Sequence, residues 1–186
     1  MIVIKLGGSL VSTNQIQACL DKIERAPFDK QVVIVPGGGV FAEQVRQVQQ
    51  QWRFDDRTAH LMAVLAMQQM ALLFRALKPR FAICGSIADI REQVSQNGIV
   101  IWSPDANELD KACIQSTWDV SSDSLSAWLA EALGATELML VKSVKIDGAF
   151  DVLNLVQRQV VDASFLTFTQ HRSFKLNVVY VEEFIS

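Results

Sequence analysis

Lys5, Gly7, Gly8 and Ser9 end a run of apolar, mostly β-branched residues, Ile2-Val3-Ile4, at the start of the chain. Thirty positions later a second such run, Val32-Val33-Ile34-Val35, closes on Pro36-Gly37-Gly38-Gly39. Each reads as a buried strand that stops at glycines, with a helical pattern further on. Such a loop aims backbone N–H groups at an anion near a helix N-terminus. Glycine suits it because a Cβ would block the approach of a phosphate and disfavour positive φ. Two loops of this kind predict two anionic groups held side by side. Phosphoryl transfer asks for little more than phosphates aligned in line and positive charge over the group that moves. Lys5 stands near the carboxyl end of its strand, where ligands bind in open α/β sheets. Lys142 follows Leu138-Met139-Leu140-Val141 in the same way, and by position alone it reads equally as an exposed strand-end lysine. Asp123, in the first turn of a helix, reads either as an acid complementing the helix dipole or as one that orients cations.

Neither G-x-x-x-x-G-K-S/T nor G-x-G-x-x-G occurs, so the P-loop and dinucleotide fingerprints are absent. The remaining blocks are K-x-G-G-S at Lys5–Ser9, Pro36-Gly37-Gly38-Gly39, Ser122-Asp123-Ser124-Leu125 and Leu140-Val141-Lys142. In that order, from Met1 to about Gly148, they resemble the amino acid kinase family, which includes acetylglutamate, carbamate, aspartate, uridylate and isopentenyl phosphate kinases. The resemblance implies an ATP-dependent phosphotransferase with catalytic Lys5, Asp123 and Lys142. In it Gly7, Gly8 and Ser9 contact the transferring phosphoryl group, and Lys145 and Asp147 lie on the nucleotide side. Gly37, Gly38, Gly39, His60, Asp119 and Ser122 fall on the acceptor side. Many relatives carry a second catalytic lysine in a C-terminal G-G-M-x-x-K, which does not occur after Gly148. Lys142 or Lys145 then stands in for it, and the segment from Ala149 to Ser186 makes a shortened nucleotide lobe.

Within the family, Asp55-Asp56 with Ala59-His60-Leu61, and Trp118-Asp119-Val120-Ser121-Ser122-Asp123-Ser124, resemble the small aminomethylfuranmethyl phosphate kinase branch of methanofuran-type cofactor synthesis. That branch implies a small phosphomonoester acceptor bearing an amine, a diphosphate product, and Asp119 or Asp56 paired with the ammonium. A uridylate or isopentenyl phosphate kinase-like enzyme, or a nucleotide-binding subunit without turnover, stays open. Mg²⁺ is expected to ride on the nucleotide phosphates, since no cluster of acids or histidines has metal-ligand spacing.

The 186 residues, half hydrophobic and a fifth charged, fit one folded domain over 1–186 and exclude a disordered chain. A net charge of −3 offers no basic footprint for nucleic acid. Cys19, Cys84 and Cys113 are widely spaced, without a C-x-x-C pair, and read as reduced thiols of a cytoplasmic protein. A strand expected at the very N-terminus would leave no room for a leader.

The elements that must position these residues alternate between strand and helix. Strands are expected at 2–6, 31–35, 81–84, 99–102, 138–141 and 178–181. Helices are expected from an Asn14 cap to Arg25 (stopped by Pro27), after Gly39, from Asp55 or Asp56 to Leu77, and from a Ser122 cap to Gly134. The helix after Gly39 should bury Phe41, Val45, Val48 and Trp52 on one face. Such alternation predicts an α/β three-layer αβα sandwich with a largely parallel central sheet. The long helix at 58–77 is apolar nearly all round but interrupted by His60, Gln68, Gln69 and Arg75, which argues against a membrane span. It points to burial or to the interface of a homodimer or higher homo-oligomer. Lys5 and Asp123 are expected outside the core.

Overall fold

The β-branched runs do become the centre of a sheet. The computed structural model describes residues 1–26, 31–146 and 151–186. Its strands are β1 (Ile2–Leu6), β2 (Val32–Pro36), β3 (Ala82–Cys84), β4 (Ile99–Trp102), β5 (Glu137–Lys142) and β6 (Lys175–Tyr180). They form one sheet in the order β3-β4-β2-β1-β5-β6, with every pairing parallel. β1 and β2 are buried along their whole length, as expected of central strands covered on both faces.

Strand alternation sends successive side chains to opposite faces. Val3, Val33, Val35, Val100, Leu138 and Leu140 enter one core layer, and Ile2, Ile4, Leu6, Val32, Ile34 and Val141 the other. The first layer is covered by α5 (Ile87–Asn97), α7 (Ser122–Leu133), α8 (Val152–Gln157) and α9 (Phe165–Thr169). The second is covered by α1 (Ser9–Ser12), α2 (Ile16–Arg25) and α10 (Val181–Ile185). α4 (Asp56–Leu77) serves both, giving Val64 and Met67 to one and Met70, Ala71 and Phe74 to the other. By length and composition α4 could cross a membrane; here it packs on both layers and leaves Leu61, Leu65 and Leu72 exposed. Each buried Val, Ile or Phe of these layers contributes about 1.5–3 kcal/mol relative to exposure.

Several local expectations shift. Asp55, one of the two residues expected to open α4, does cap it, accepting from Thr58 N at 2.9 Å, whereas the others move. Asn14 adopts φ 57° between α1 and α2, and Gln15 takes the cap position. The Pro27 stop lies outside the described residues. Ser121, not Ser122, caps α7, while Gly134 ends it in the left-handed region at φ 65°. In α3 (Gly39–Trp52) only Val45 is buried, and Trp52 is 71% exposed. That helix packs chiefly on α4 and α1 rather than on the sheet, so its apolar stripe has no layer above it. Helices α5 and α6 (Ala106–Lys111) were not anticipated. α5 begins with a capping box in which Ser86 and Asp89 satisfy each other's backbone N–H.

The two glycine loops meet backbone to backbone. A Cβ on Gly8 would stand 2.4 Å from Gly39 N, and one on Gly37 would stand 2.5 Å from Gly8 N. Gly8→Ala and Gly37→Ala are therefore expected to lower the unfolding free energy by about 2 kcal/mol each, since neither neighbour is a flexible side-chain end. Gly85→Ala meets only Ser103 O at 3.8 Å and should leave the melting temperature nearly unchanged. Thermal unfolding of the three variants checks this contrast.

Candidate functional site

Three buried charges meet at the carboxyl ends of two neighbouring strands. β1 and β5 pair in register, Lys5 opposite Leu140 and Leu6 opposite Val141. Lys5 Nζ lies 2.8 Å from Asp123 Oδ1. Lys142 Nζ lies 2.8 Å from Asp123 Oδ1, 2.7 Å from Asp123 Oδ2 and 2.7 Å from the carbonyl oxygen of Val160. Asp123 comes from the first turn of α7, where Ser121 Oγ accepts from its backbone N–H at 3.3 Å. Residue exposure is 4% for Lys5 and 5% for Asp123, so the expectation that they lie outside the core is corrected. The reason is packing: both point into the layer between the sheet and α7.

Burial alone would raise the Asp123 carboxyl, but the Lys142 and Lys5 ammoniums outweigh it and hold the group at about 2. Burial pushes the Lys142 ammonium down to about 8, Asp123 opposing that shift and Lys5 adding to it. Asp123 is thus a carboxylate at every working pH, whereas Lys142 changes charge within reach of ordinary assay conditions.

Beside this cluster stand the glycine loops. Gly7 N–H donates to Val141 O at 3.2 Å and Gly37 N–H to Leu6 O at 2.9 Å, so these two groups hold the loops to the sheet. The N–H groups that follow them, at Gly8 and Ser9 and at Gly38 and Gly39, lie at the starts of α1 and α3, where helical N–H groups lack intrahelical acceptors. Gly8, Ser9, Gly38, Gly39, Glu43 and Ser122 line one shared cavity. Ser9 Oγ also meets Ser143 Oγ at 2.9 Å, tying the first loop to the one after β5.

A second cavity opens between α3, α4 and the start of α7, lined by Gly38, Arg46, His60, Met67, Trp118 and Ser122 among others. His60 is buried in its wall. Desolvation lowers the imidazole pKa and Asp110 opposes that, favouring the neutral ring near neutral pH. Arg46 and Trp118 were not singled out as site residues from the sequence. The guanidinium carbon of Arg46 lies 4.0 Å from the centroid of the Trp118 ring, whose Nε1 donates to Gln49 Oε1 at 2.5 Å. Gln49 stands in a run of glutamines, Gln49-Gln50-Gln51, whose composition gives no sign of this contact.

Gly8, Ser9, Gly38, Gly39, His60 and Ser122 line these two cavities, which share Gly38 and Ser122, while Asp123 lines a third with Arg46, Trp118, Ser121 and Asp162. Lys5 and Lys142 reach Asp123 but line none of the three. Asp119 is not among the residues lining them; its side chain is exposed and its carbonyl oxygen accepts from Ser164 N at 3.0 Å. Lys145 is exposed beyond the end of β5. Asp147 lies outside the described residues. Asp162, which carried no sequence signal, grips Ser121 and Ser124 in the first turn of α7. Among the described residues no group of three or more His, Cys, Asp or Glu side chains could hold a metal ion.

Residues 1–148 match the amino acid kinase family. Over 151 residues the sequence is 26% identical to (5-(aminomethyl)furan-3-yl)methyl phosphate kinase of Methanocaldococcus jannaschii, spanning 81% of this chain and 68% of that protein. Uridylate kinase from Archaeoglobus fulgidus superposes with a TM-score of 0.76 at 18% identity, covering 99% of this chain and 93% of the other. Aspartate kinase from Synechocystis gives 0.74 at 18% identity, over 97% of this chain and 38% of the other. At such identities the structural likeness speaks for the fold, the α/β sandwich described above.

Removing the shared carboxylate would leave two ammoniums facing each other away from water. Asp123→Asn is expected to cost about 3 kcal/mol or more of stability, because a buried charge left without its partner is expensive. Denaturant unfolding of the variant checks this, and a loss below about 1 kcal/mol would show that the cluster is better solvated than its burial indicates.

Proposed function

The chain belongs to the amino acid kinase family of phosphotransferases, and from that premise we propose that it moves a phosphoryl group from ATP to a small phosphomonoester, releasing ADP and a diphosphate. The observation that carries the reading is the convergence of Lys5 and Lys142 on Asp123 beside two glycine loops. A transfer between two phosphates brings anions together, and their repulsion in a poorly hydrated cleft is large. Two fixed ammoniums and the N–H groups of Gly8, Ser9, Gly38 and Gly39 offset it without moving during the reaction. Lys142 supplies the second cation that relatives carry further along the chain, and Lys145 and Asp147 belong to the nucleotide side. Asp123 holds the two lysines. Its oxygens are occupied by them, so Mg²⁺ enters with the nucleotide phosphates and not on a protein carboxylate.

The acceptor lies in the cavity of Gly38, His60 and Ser122, with Gly37 and Gly39 shaping the loop above it. The first candidate acceptor is an amine-bearing furan phosphate, the compound named in the relative from Methanocaldococcus jannaschii. Within that reading, Asp119 or Asp56 would have to turn towards the ammonium, since neither lines the cavity. Val64, Met67 and Leu125 make much of its wall, which favours as a second reading a phosphomonoester with an uncharged apolar body. Exposed Leu61, Leu65 and Leu72 on α4 are the proposed contact of a homodimer or higher homo-oligomer, and the three unpaired cysteines favour a cytoplasmic setting.

An ATP-consumption screen over phosphomonoesters, read by phosphorus NMR for the diphosphate, tests the reaction. Turnover with a simple amino acid and none with any phosphomonoester would overturn it. Lys5→Met and Lys142→Met should each lower kcat at least about a hundredfold, as expected on removing one preorganised charge.

Because the reaction needs Lys142 charged, kcat/KM should fall as pH rises through about 8. A profile flat to well above that pH would remove Lys142 from the charge-stabilising role.

A further inference from the structure

The turn between α8 and α9 touches the charged cluster at Lys142 and also grips the start of α7, which carries Asp123, and its contacts exceed what a surface turn requires. Val160 offers its carbonyl oxygen to Lys142 Nζ at 2.7 Å. Two residues on, Asp162 Oδ2 accepts from Ser121 N at 3.0 Å, Ser121 Oγ at 2.7 Å and Ser124 N at 3.0 Å. Asp162 Oδ1 accepts from Ser124 Oγ. Three of the four donors converge on Oδ2, so the carboxylate is held chiefly by the start of α7, at the edge of a cavity it lines with Asp123 and Arg46.

The contacts form a chain. Ser121 Oγ donates to Asp162 and with its own lone pair accepts from Asp123 N, so Asp162 fixes the rotamer that caps α7. The cap sets the first turn of α7, and the first turn sets the carboxylate on which Lys5 and Lys142 converge. We infer that Asp162 is a positioning residue for phosphoryl transfer, acting through Ser121 and Ser124 to fix Asp123 and, with Val160, to hold Lys142 in place. The inference rests on the phosphotransferase reading above and adds to it a residue that acts through the cap of α7.

Three charged groups act on the Lys142 ammonium: Lys5 from β1, Asp123 from α7 and Asp162 from the turn. Asp162 works against the burial that lowers the pKa of Lys142, so neutralising it should move the Lys142 titration to lower pH. Asp162→Asn in the full chain is the test, because it keeps the shape, removes the charge and turns one acceptor into a donor facing other donors.

The first readout is the titration of Lys142 Nζ by nitrogen NMR, which needs no turnover; in Asp162→Asn its midpoint is expected below that of the wild type. The second is steady-state kinetics: kcat is expected to fall at least about tenfold while KM for ATP and acceptor changes less than about threefold. Ser124→Ala, which removes one of the four contacts by losing the hydroxyl while keeping its backbone N–H, should show both effects at smaller size, and it serves if Asp162→Asn does not fold. An unchanged titration, or a kcat within about twofold of wild type, overturns the inference. A wild-type chain that turns over no phosphomonoester defeats the transferase reading instead, while the titration still reports whether Asp162 holds the cluster.

Discussion

Burying one carboxylate between two ammoniums is the constraint on which the rest of this structure depends. Each ion loses hydration as it enters the layer between the sheet and α7, and the loss is recovered only with short, well-directed contacts. Asp123 makes those contacts with both lysines, and Val160 adds a carbonyl oxygen to one of them. The three charges sum to one positive charge, and burial weighs most visibly on Lys142. An arriving anion supplies the missing negative charge. A cluster that is under-compensated when empty and balanced when loaded favours the loaded state, which is the electrostatic form a phosphoryl-transfer site requires.

A second constraint acts through the glycines. Gly8 and Gly37 approach each other so closely that neither position has room for a Cβ, and Gly38 faces Ala42 Cβ at a distance no added carbon could occupy. The glycines are therefore needed first for loop-on-loop packing. Donors for an anion follow as a consequence, because packing the loops together brings the starts of α1 and α3 to one cavity. Reading the glycines only as room for a phosphate leaves this packing out.

What was legible in the sequence is what is local. The runs at Ile2–Leu6 and Val32–Val35 are too uniformly apolar and β-branched to be anything but covered strands, and Asp55 announces its cap three residues from the donor it meets. Local signals were also misjudged. Ser86 and Asp89 stand at the spacing of a capping box, the local mark of the start of α5, which spans 11 residues. The stripe of Phe41, Val45 and Trp52 has helical period but lies on a helix that never reaches the sheet, and period alone cannot say what stands opposite. Asp162 was out of reach for a different reason. Its partners are 41 and 38 positions away, and nothing in Val161-Asp162-Ala163 distinguishes it from a surface acid.

The position of the second lysine follows from strand geometry alone. On β1, Val3 and Lys5 face α7 while Ile4 and Leu6 face the other layer. On β5, Leu138 and Leu140 face α7 and Val141 faces away, so the next residue to return to the α7 side is Lys142. Parallel register places Lys5 opposite Leu140, which makes Lys142 the diagonal neighbour of Lys5 across the strand pair. A lysine at 141 would have been buried in the wrong layer. Lys145, beyond the strand, stands exposed in the loop. Two parallel strands in fixed register thus offer one position from which a second long side chain can reach a carboxylate already held by the first, and the chain places a lysine there.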